Sequence, residues 1–89
     1  MKIQIKKFSN ERDYAELMDN LLGESKQVKV AEWKKSKVEY YFDPKQSTIY
    51  GYLNGKTNTP VIEFPVKDAD YLKGIIEHLE SIPGVKIVL

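Results

Sequence analysis

A series of short alternating segments between Gln27 and Val66 constrains the fold of this chain more than any other feature. Alternation of apolar and polar side chains is typical of half-buried β-strands, and β-branched and aromatic residues suit a pleated sheet. Asp43-Pro44-Lys45-Gln46 has the aspartate and proline positions of a type I turn. The strands predicted in this way are Gln27–Trp33, Val38–Phe42, Thr48–Leu53 and Val61–Val66.

The connection before the last of these strands has two interpretations. Asn54-Gly55 has the composition of a tight hairpin turn. That turn would place Pro60 opposite Ile49, where proline cannot donate to the ladder. A longer loop from Asn54 to Pro60 avoids this conflict, and both alternatives stay open at this point.

Two amphipathic helices are predicted to flank the strands. The first follows an N-cap at Ser9-Asn10, has Glu11 and Asp13 in its first turn, and ends at Gly23 as a left-handed residue. The second begins after Asp68 and ends before Pro83. Their apolar stripes are Tyr14, Leu17, Met18, Leu21 and Leu22 in the first helix, and Leu72, Ile75, Ile76 and Leu79 in the second.

Two further short strands complete the predicted order. Ile3–Ile5 alternates at the beginning of the sequence, and Val85–Leu89 is apolar at its end. The order β-α-β-β-β-β-α-β predicts an α+β fold, an antiparallel meander with both helices packed on one face. At 89 residues the chain is expected to form one domain, 1–89. The final strand is expected either at the sheet centre or paired with a second copy across a two-fold axis.

Alternation sorts the aromatic residues of the predicted strands onto two faces. The residues expected on the face that the helices would cover are Val38, Tyr40, Phe42, Ile49, Leu53, Ile62 and Phe64. Tyr41, Tyr50 and Tyr52 fall on the opposite face, and Trp33 and Lys29 are expected beside them. Glu39 and Glu63 point to the same side and dilute any positive field. These rings have two interpretations: they shield and stabilise a solvated sheet, or they form a stacking or docking platform.

A group of lysines precedes the second predicted strand, and it also has a structural and a functional interpretation. It consists of Lys26, Lys29, Lys34, Lys35 and Lys37. Such a group protects a sheet edge from aggregation or contacts phosphates. The net charge is only +1, and Arg12 is the only arginine. Because bidentate reading of guanine favours arginine, sequence-specific recognition of a DNA groove is not expected.

The sequence contains no signature of catalysis or metal binding. It has no cysteine, and His78 is the only histidine, so neither thiol chemistry nor a zinc site of the usual kind is expected. No phosphate-binding glycine motif occurs. We therefore expect a protein that is not an enzyme and that needs no cofactor. No apolar run suits a signal peptide or a membrane span, so the expected location is the cytoplasm.

Two functions are consistent with these patterns. The first is a small non-enzymatic domain that binds single-stranded nucleic acid through tyrosine stacking and lysine–phosphate contacts, as a possible homodimer. Aromatic strands followed by an amphipathic helix, over Gln27–Ser81, resemble small single-stranded-DNA-binding domains, and the resemblance identifies no functional residue. The second is a protein-binding regulator or inhibitor of the phage or plasmid type that uses the same tyrosine face. The candidate binding residues are Trp33, Tyr41, Tyr50, Tyr52, Lys29, Lys34, Lys35 and Lys37.

Overall fold

The computed structural model describes residues 11–53 and 59–89, without the side chains of residues 11–13. The predicted strand at Ile3–Ile5, the N-cap at Ser9-Asn10 and the turn at Asn54-Gly55 lie outside the described residues. Within them the elements are α1 (Glu11–Leu22), β1 (Val28–Trp33), β2 (Val38–Asp43), β3 (Thr48–Leu53), β4 (Pro60–Pro65), α2 (Ala69–Ser81) and β5 (Val85–Ile87).

The five strands form one antiparallel sheet in the order β4-β3-β2-β1-β5. Strands β1 to β4 are consecutive neighbours, so the predicted meander and the α+β class are confirmed. Strand β5 pairs with β1 at one edge of the described sheet, with Val85 opposite Trp33. The expectation that the closing strand lies at the sheet centre is therefore wrong for the described part of the chain.

The turns follow from local sequence. Asp43 accepts hydrogen bonds from the backbone N–H groups of Lys45 and Gln46, at 2.9 and 3.2 Å, which fixes the predicted turn between β2 and β3. Between α2 and β5, Pro83 and Gly84 form a type II turn, because Gly84 takes φ 94° and Val85 N–H bonds to Ile82 C=O at 3.1 Å. Gly23 follows α1 without a positive φ, so its predicted left-handed conformation is wrong.

The β3–β4 register decides between the two predicted connections. Pro60 lies opposite Tyr52, at the start of an edge strand, and Ile49 pairs with Phe64. A two-residue hairpin at Asn54-Gly55 would require a different register, so the longer connection is correct. Because Pro60 is the first residue of β4, it removes no hydrogen bond from the interior of the ladder.

One hydrophobic cluster joins the helices to one face of the sheet, which we call the core face. The predicted helical stripes are buried except for Leu22 and Ile75, which are exposed and partly buried respectively. The packing of both helices on one face remains a prediction that this shared cluster favours. The buried members are Tyr14, Leu17, Met18, Leu21, Val30, Ala31, Tyr40, Phe42, Ile49, Val66, Leu72, Ile76 and Leu79.

The core face is incompletely covered at the β3–β4 side of the sheet. Leu53 and Ile62 belong to this face by register, since they pair with Val38 and Gly51. They nevertheless remain 42% and 39% exposed. The expectation that helices bury both side chains is therefore wrong, because these residues lie at the margin of the sheet.

Candidate interaction surface

Three tyrosines lie together on the face of the sheet opposite the core face. Tyr41 pairs directly with Tyr50, and Tyr52 pairs with Glu39. None of the three belongs to the core cluster, whereas their strand neighbours Tyr40 and Ile49 do. The predicted projection away from the hydrophobic interior holds for Tyr41 and Tyr50, which are partly exposed, whereas Tyr52 lies on the same face but is buried. We call the surface formed by Tyr41, Tyr50, Tyr52, Glu39 and Glu63 the tyrosine face.

Tyr52 forms the floor of this surface rather than a projecting ring. It is only 5% exposed, and its centroid lies 6.0 Å from that of Tyr41 and 6.2 Å from that of Tyr50. The Gln27 side-chain amide donates to the Tyr52 hydroxyl at 3.1 Å. Since Gln27 precedes β1 and Tyr52 belongs to β3, the side chain lies across β2. Tyr52 therefore supports the partly exposed rings of Tyr41 and Tyr50, which are the two available for contact.

Lys29 lies beside Tyr41, as predicted, but its charge is already paired. Its Nζ lies 2.9 Å from Glu32 Oε1 and 3.4 Å from Glu39 Oε2. The hydrogen bond to Glu32 raises the pKa of Lys29 against the opposing effect of burial, and the same bond lowers the pKa of Glu32. Tyr41 donates its hydroxyl to Glu39 at 3.2 Å. Lys29 thus serves an internal network, and a phosphate would compete with two carboxylates for it.

Asp43 and Glu63 add negative charge on either side of the rings. Burial opposes ionisation of Asp43, but hydrogen bonds from Gln27, Gln46 and Lys45 outweigh it and lower its pKa. Glu63 is exposed and lies directly opposite Tyr50. By register, the described ladder places four carboxylates and two amines on this side of the sheet, a net charge of −2. They are Glu32, Glu39, Asp43, Glu63, Lys29 and Lys86.

Trp33 does not join the tyrosine face, and this placement corrects the sequence-based expectation. A β-bulge between Lys29 and Ala31 inserts Val30 and reverses the alternation after it. Trp33 therefore pairs with Val38 and packs against the core cluster. Its indole Nε1 is buried and has no hydrogen-bond partner among the described residues, and Gly84 leaves room for the ring. No residue in this segment signals the bulge.

The remaining lysines of the predicted site lie at one end of the β1–β2 hairpin. Lys34, Lys35 and Lys37 occupy the exposed turn between these strands. Lys34 Nζ lies 3.8 Å from Glu32 Oε2. A groove of about 340 Å³ adjoins the turn, and its lining combines these amines with carboxylates. The lining residues are Glu32, Lys34, Lys37, Val38 and Glu39. The lysines are accessible, but they do not surround the tyrosines.

The sequence pattern predicts some of the residues of this surface and does not predict others. Alternation correctly placed Glu39 and Glu63 with the tyrosines. It gave no role to Gln27 or Asp43, whose side chains meet at 3.1 Å. The sequence pattern identifies Asp43 only as a turn residue. The contact that Gln27 makes depends on the direction of the Tyr52 side chain across the sheet. Residue types and spacing alone contain no signal for that orientation.

The other chemical candidates lie away from this surface. His78 is exposed on α2, with its ring 6.0 Å from that of Phe64. In the described ranges, no three acidic or histidine side chains are grouped so that they could hold a metal ion. None of the described helices has the length and apolar character needed to cross a bilayer. The chain matches no protein-family model, no curated protein and no solved structure.

Proposed function

We propose that this protein is a non-enzymatic binding domain that docks a partner protein on the tyrosine face. The observation that carries the proposal is the arrangement of Tyr41 and Tyr50, partly exposed rings resting on Tyr52 within a rim of carboxylates. Tyrosines supply a large amphipathic contact area, and they are frequent at the centres of protein interfaces. The absence of cysteine is compatible with binding in a reducing cytoplasm.

Single-stranded nucleic acid is the second candidate, favoured by the exposed lysines of the β1–β2 turn. A strand stacked on Tyr41 and Tyr50 would bring phosphates close to Glu39 and Glu63. Lys29 lies beside Tyr41 in the ladder, and it is already paired with two carboxylates. Because phosphate contacts dominate nucleic-acid affinity, this charge distribution supports the protein partner over the nucleic acid.

The test uses the full chain with the substitutions Tyr41→Ser and Tyr50→Ser combined. Both rings lie outside the core cluster, so circular dichroism should show an unchanged fold. Tyr52 is left intact because it is buried under its neighbours. Tyr71→Ser is the matched control, because it removes a ring that is 46% exposed on α2. Quantitative mass spectrometry then compares the proteins that each immobilised variant captures from a host-cell lysate.

The expected result is a discrete partner that wild type and Tyr71→Ser retain and that the double variant loses. In parallel, labelled single-stranded oligonucleotides are titrated at several salt concentrations. Tight binding of an oligonucleotide that weakens steeply with salt would show that the partner is a nucleic acid and not a protein. Unfolding of the double variant would instead support the shielding interpretation. Light scattering of the free chain detects self-association through the same rings.

A further inference from the structure

Tyr50 lies between two carboxylates that form no salt bridge within the described part of the chain. Glu63 is directly opposite Tyr50 across β3 and β4, is exposed, and forms no salt bridge there. Asp43 neighbours the Tyr41–Tyr50 pair along β2; its hydrogen bonds come from neutral groups, and the charge of nearby Lys45 partly offsets its own. Aromatic surface and a carboxylate outside any described salt bridge, Glu63, therefore coincide beside Tyr50.

This combination suits a cation with a planar face. A guanidinium group stacks on a tyrosine ring and donates paired hydrogen bonds to a carboxylate. The molecule already contains a cation over a tyrosine, since Lys67 Nζ lies 5.3 Å from the Tyr71 ring centroid. A second copy of this chain is a poor source of guanidinium groups, because Arg12 is its only arginine.

We infer that the partner docked on the tyrosine face is a basic protein segment that places an arginine over Tyr50 and pairs it with Glu63. This inference rests on the proposed function and names the partner's chemistry. An anionic segment would meet the carboxylates of Glu63 and Asp43, and the amine of Lys29 is already paired with Glu32 and Glu39. Lysine would gain the charge pairing, but it lacks the planar fork that stacks and binds bidentately.

The experiment is an NMR titration of the isotope-labelled full chain with a short N-acetylated Gly-Arg repeat peptide. Gly-Lys and Gly-Glu repeats of equal length are the matched probes. We expect backbone amide shifts centred on Tyr41, Tyr50 and Glu63 with the arginine peptide, weaker shifts with the lysine peptide, and none with the glutamate peptide. The Glu63→Gln variant should bind the arginine peptide roughly threefold more weakly, as expected for an exposed ion pair.

Glu77→Gln is the control for net charge, because it removes an exposed carboxylate from α2, and its affinity should equal that of wild type. If Glu63→Gln and Glu77→Gln weaken binding of the arginine peptide equally, the affinity depends only on the net charge of the protein, and the inference is overturned. Shifts away from the tyrosine face, or equal response to the glutamate peptide, would also overturn it.

If Tyr41 and Tyr50 are needed for partner capture while the arginine peptide leaves them unperturbed, the docking proposal stands and the arginine inference fails. If the peptide binds there but capture needs neither ring, the proposed function fails instead.

Discussion

Gly51 makes room for two side chains on the core face. It lies opposite Tyr40 in β2 and Ile62 in β4. A Cβ atom at this position would overlap the Ile62 Cγ2 methyl and lie 3.0 Å from Tyr40 Cε1. We expect Gly51→Ala to lower the free energy of unfolding by about 1–3 kcal/mol, because overpacking displaces a buried ring. Urea denaturation followed by circular dichroism measures this loss.

Gly74 provides the matched control, since a Cβ atom there meets nothing within 4 Å. Gly74→Ala should raise the free energy of unfolding by about 1 kcal/mol through helix propensity alone. If both alanine substitutions change stability in the same direction, packing at Gly51 is not the cause.

Lys37 takes a left-handed backbone conformation at the end of the β1–β2 turn, with φ 58°. A side chain in this region costs about 1 kcal/mol that glycine avoids. Lys37→Gly should therefore raise the free energy of unfolding by up to about 1 kcal/mol. Lys35→Gly, in the same turn without a positive φ, should give no such gain. Equal effects of the two substitutions in thermal denaturation would contradict this explanation.

The stability of helix α2 depends on its N-cap, Asp68. The Asp68 carboxylate accepts a hydrogen bond from the Tyr71 backbone N–H at 3.0 Å. Asp68→Ala should lower the free energy of unfolding by about 1 kcal/mol, the usual cost of losing such a cap. Glu80→Ala, at an exposed position in the same helix, is the comparison. A loss at Asp68 no larger than at Glu80 in urea denaturation would rule out capping as the cause.

The ion pair between Lys29 and Glu32, both in β1, should make the stability of the fold sensitive to acid. The Lys29 hydrogen bond holds the pKa of Glu32 below its ordinary value of 4.5. A carboxylate with a lowered folded-state pKa stabilises the fold above its unfolded-state pKa, and this contribution is lost as the pH falls through the folded-state pKa. Stability should therefore decrease as the pH falls below 4.5.

The Glu32→Gln variant tests this contribution. Its free energy of unfolding should depend less on pH in the acid range than that of wild type, because glutamine does not titrate. Glu77→Gln serves as the exposed comparison in α2. An acid dependence in Glu32→Gln as steep as in wild type would show that other carboxylates cause the loss.

The elements could be predicted wherever a period persisted over several residues. The helical stripes, the cap at Asp68 and the four-strand meander follow from spacing and turn chemistry. The bulge at Val30 could not be predicted, because it depends on how β1 fits both β2 and β5. That single inserted residue moves Trp33 to the core face. The pairing of β5 with β1 likewise depends on tertiary structure, since local sequence does not determine which strand of the meander accepts β5.

At the scale of the whole molecule, alternation was sufficient to gather Tyr41, Tyr50 and Tyr52 on one side of the sheet. It could not show that the Tyr52 side chain extends across β2 to Gln27, since a residue's face does not determine its direction along the sheet. Nor could composition show that Lys29 is neutralised by its neighbours. The electrostatic character of the surface therefore emerges only from the strand register and the paired side chains.

The most direct test of the docking face is calorimetric titration of the captured partner, once identified, against the full chain. We predict that Tyr41→Ser with Tyr50→Ser weakens binding at least about tenfold, as expected for rings at the centre of an interface. Tyr71→Ser should bind like wild type, and all three proteins should share one circular dichroism spectrum. Undiminished affinity in the correctly folded double variant would contradict the central claim that these two rings contact the partner.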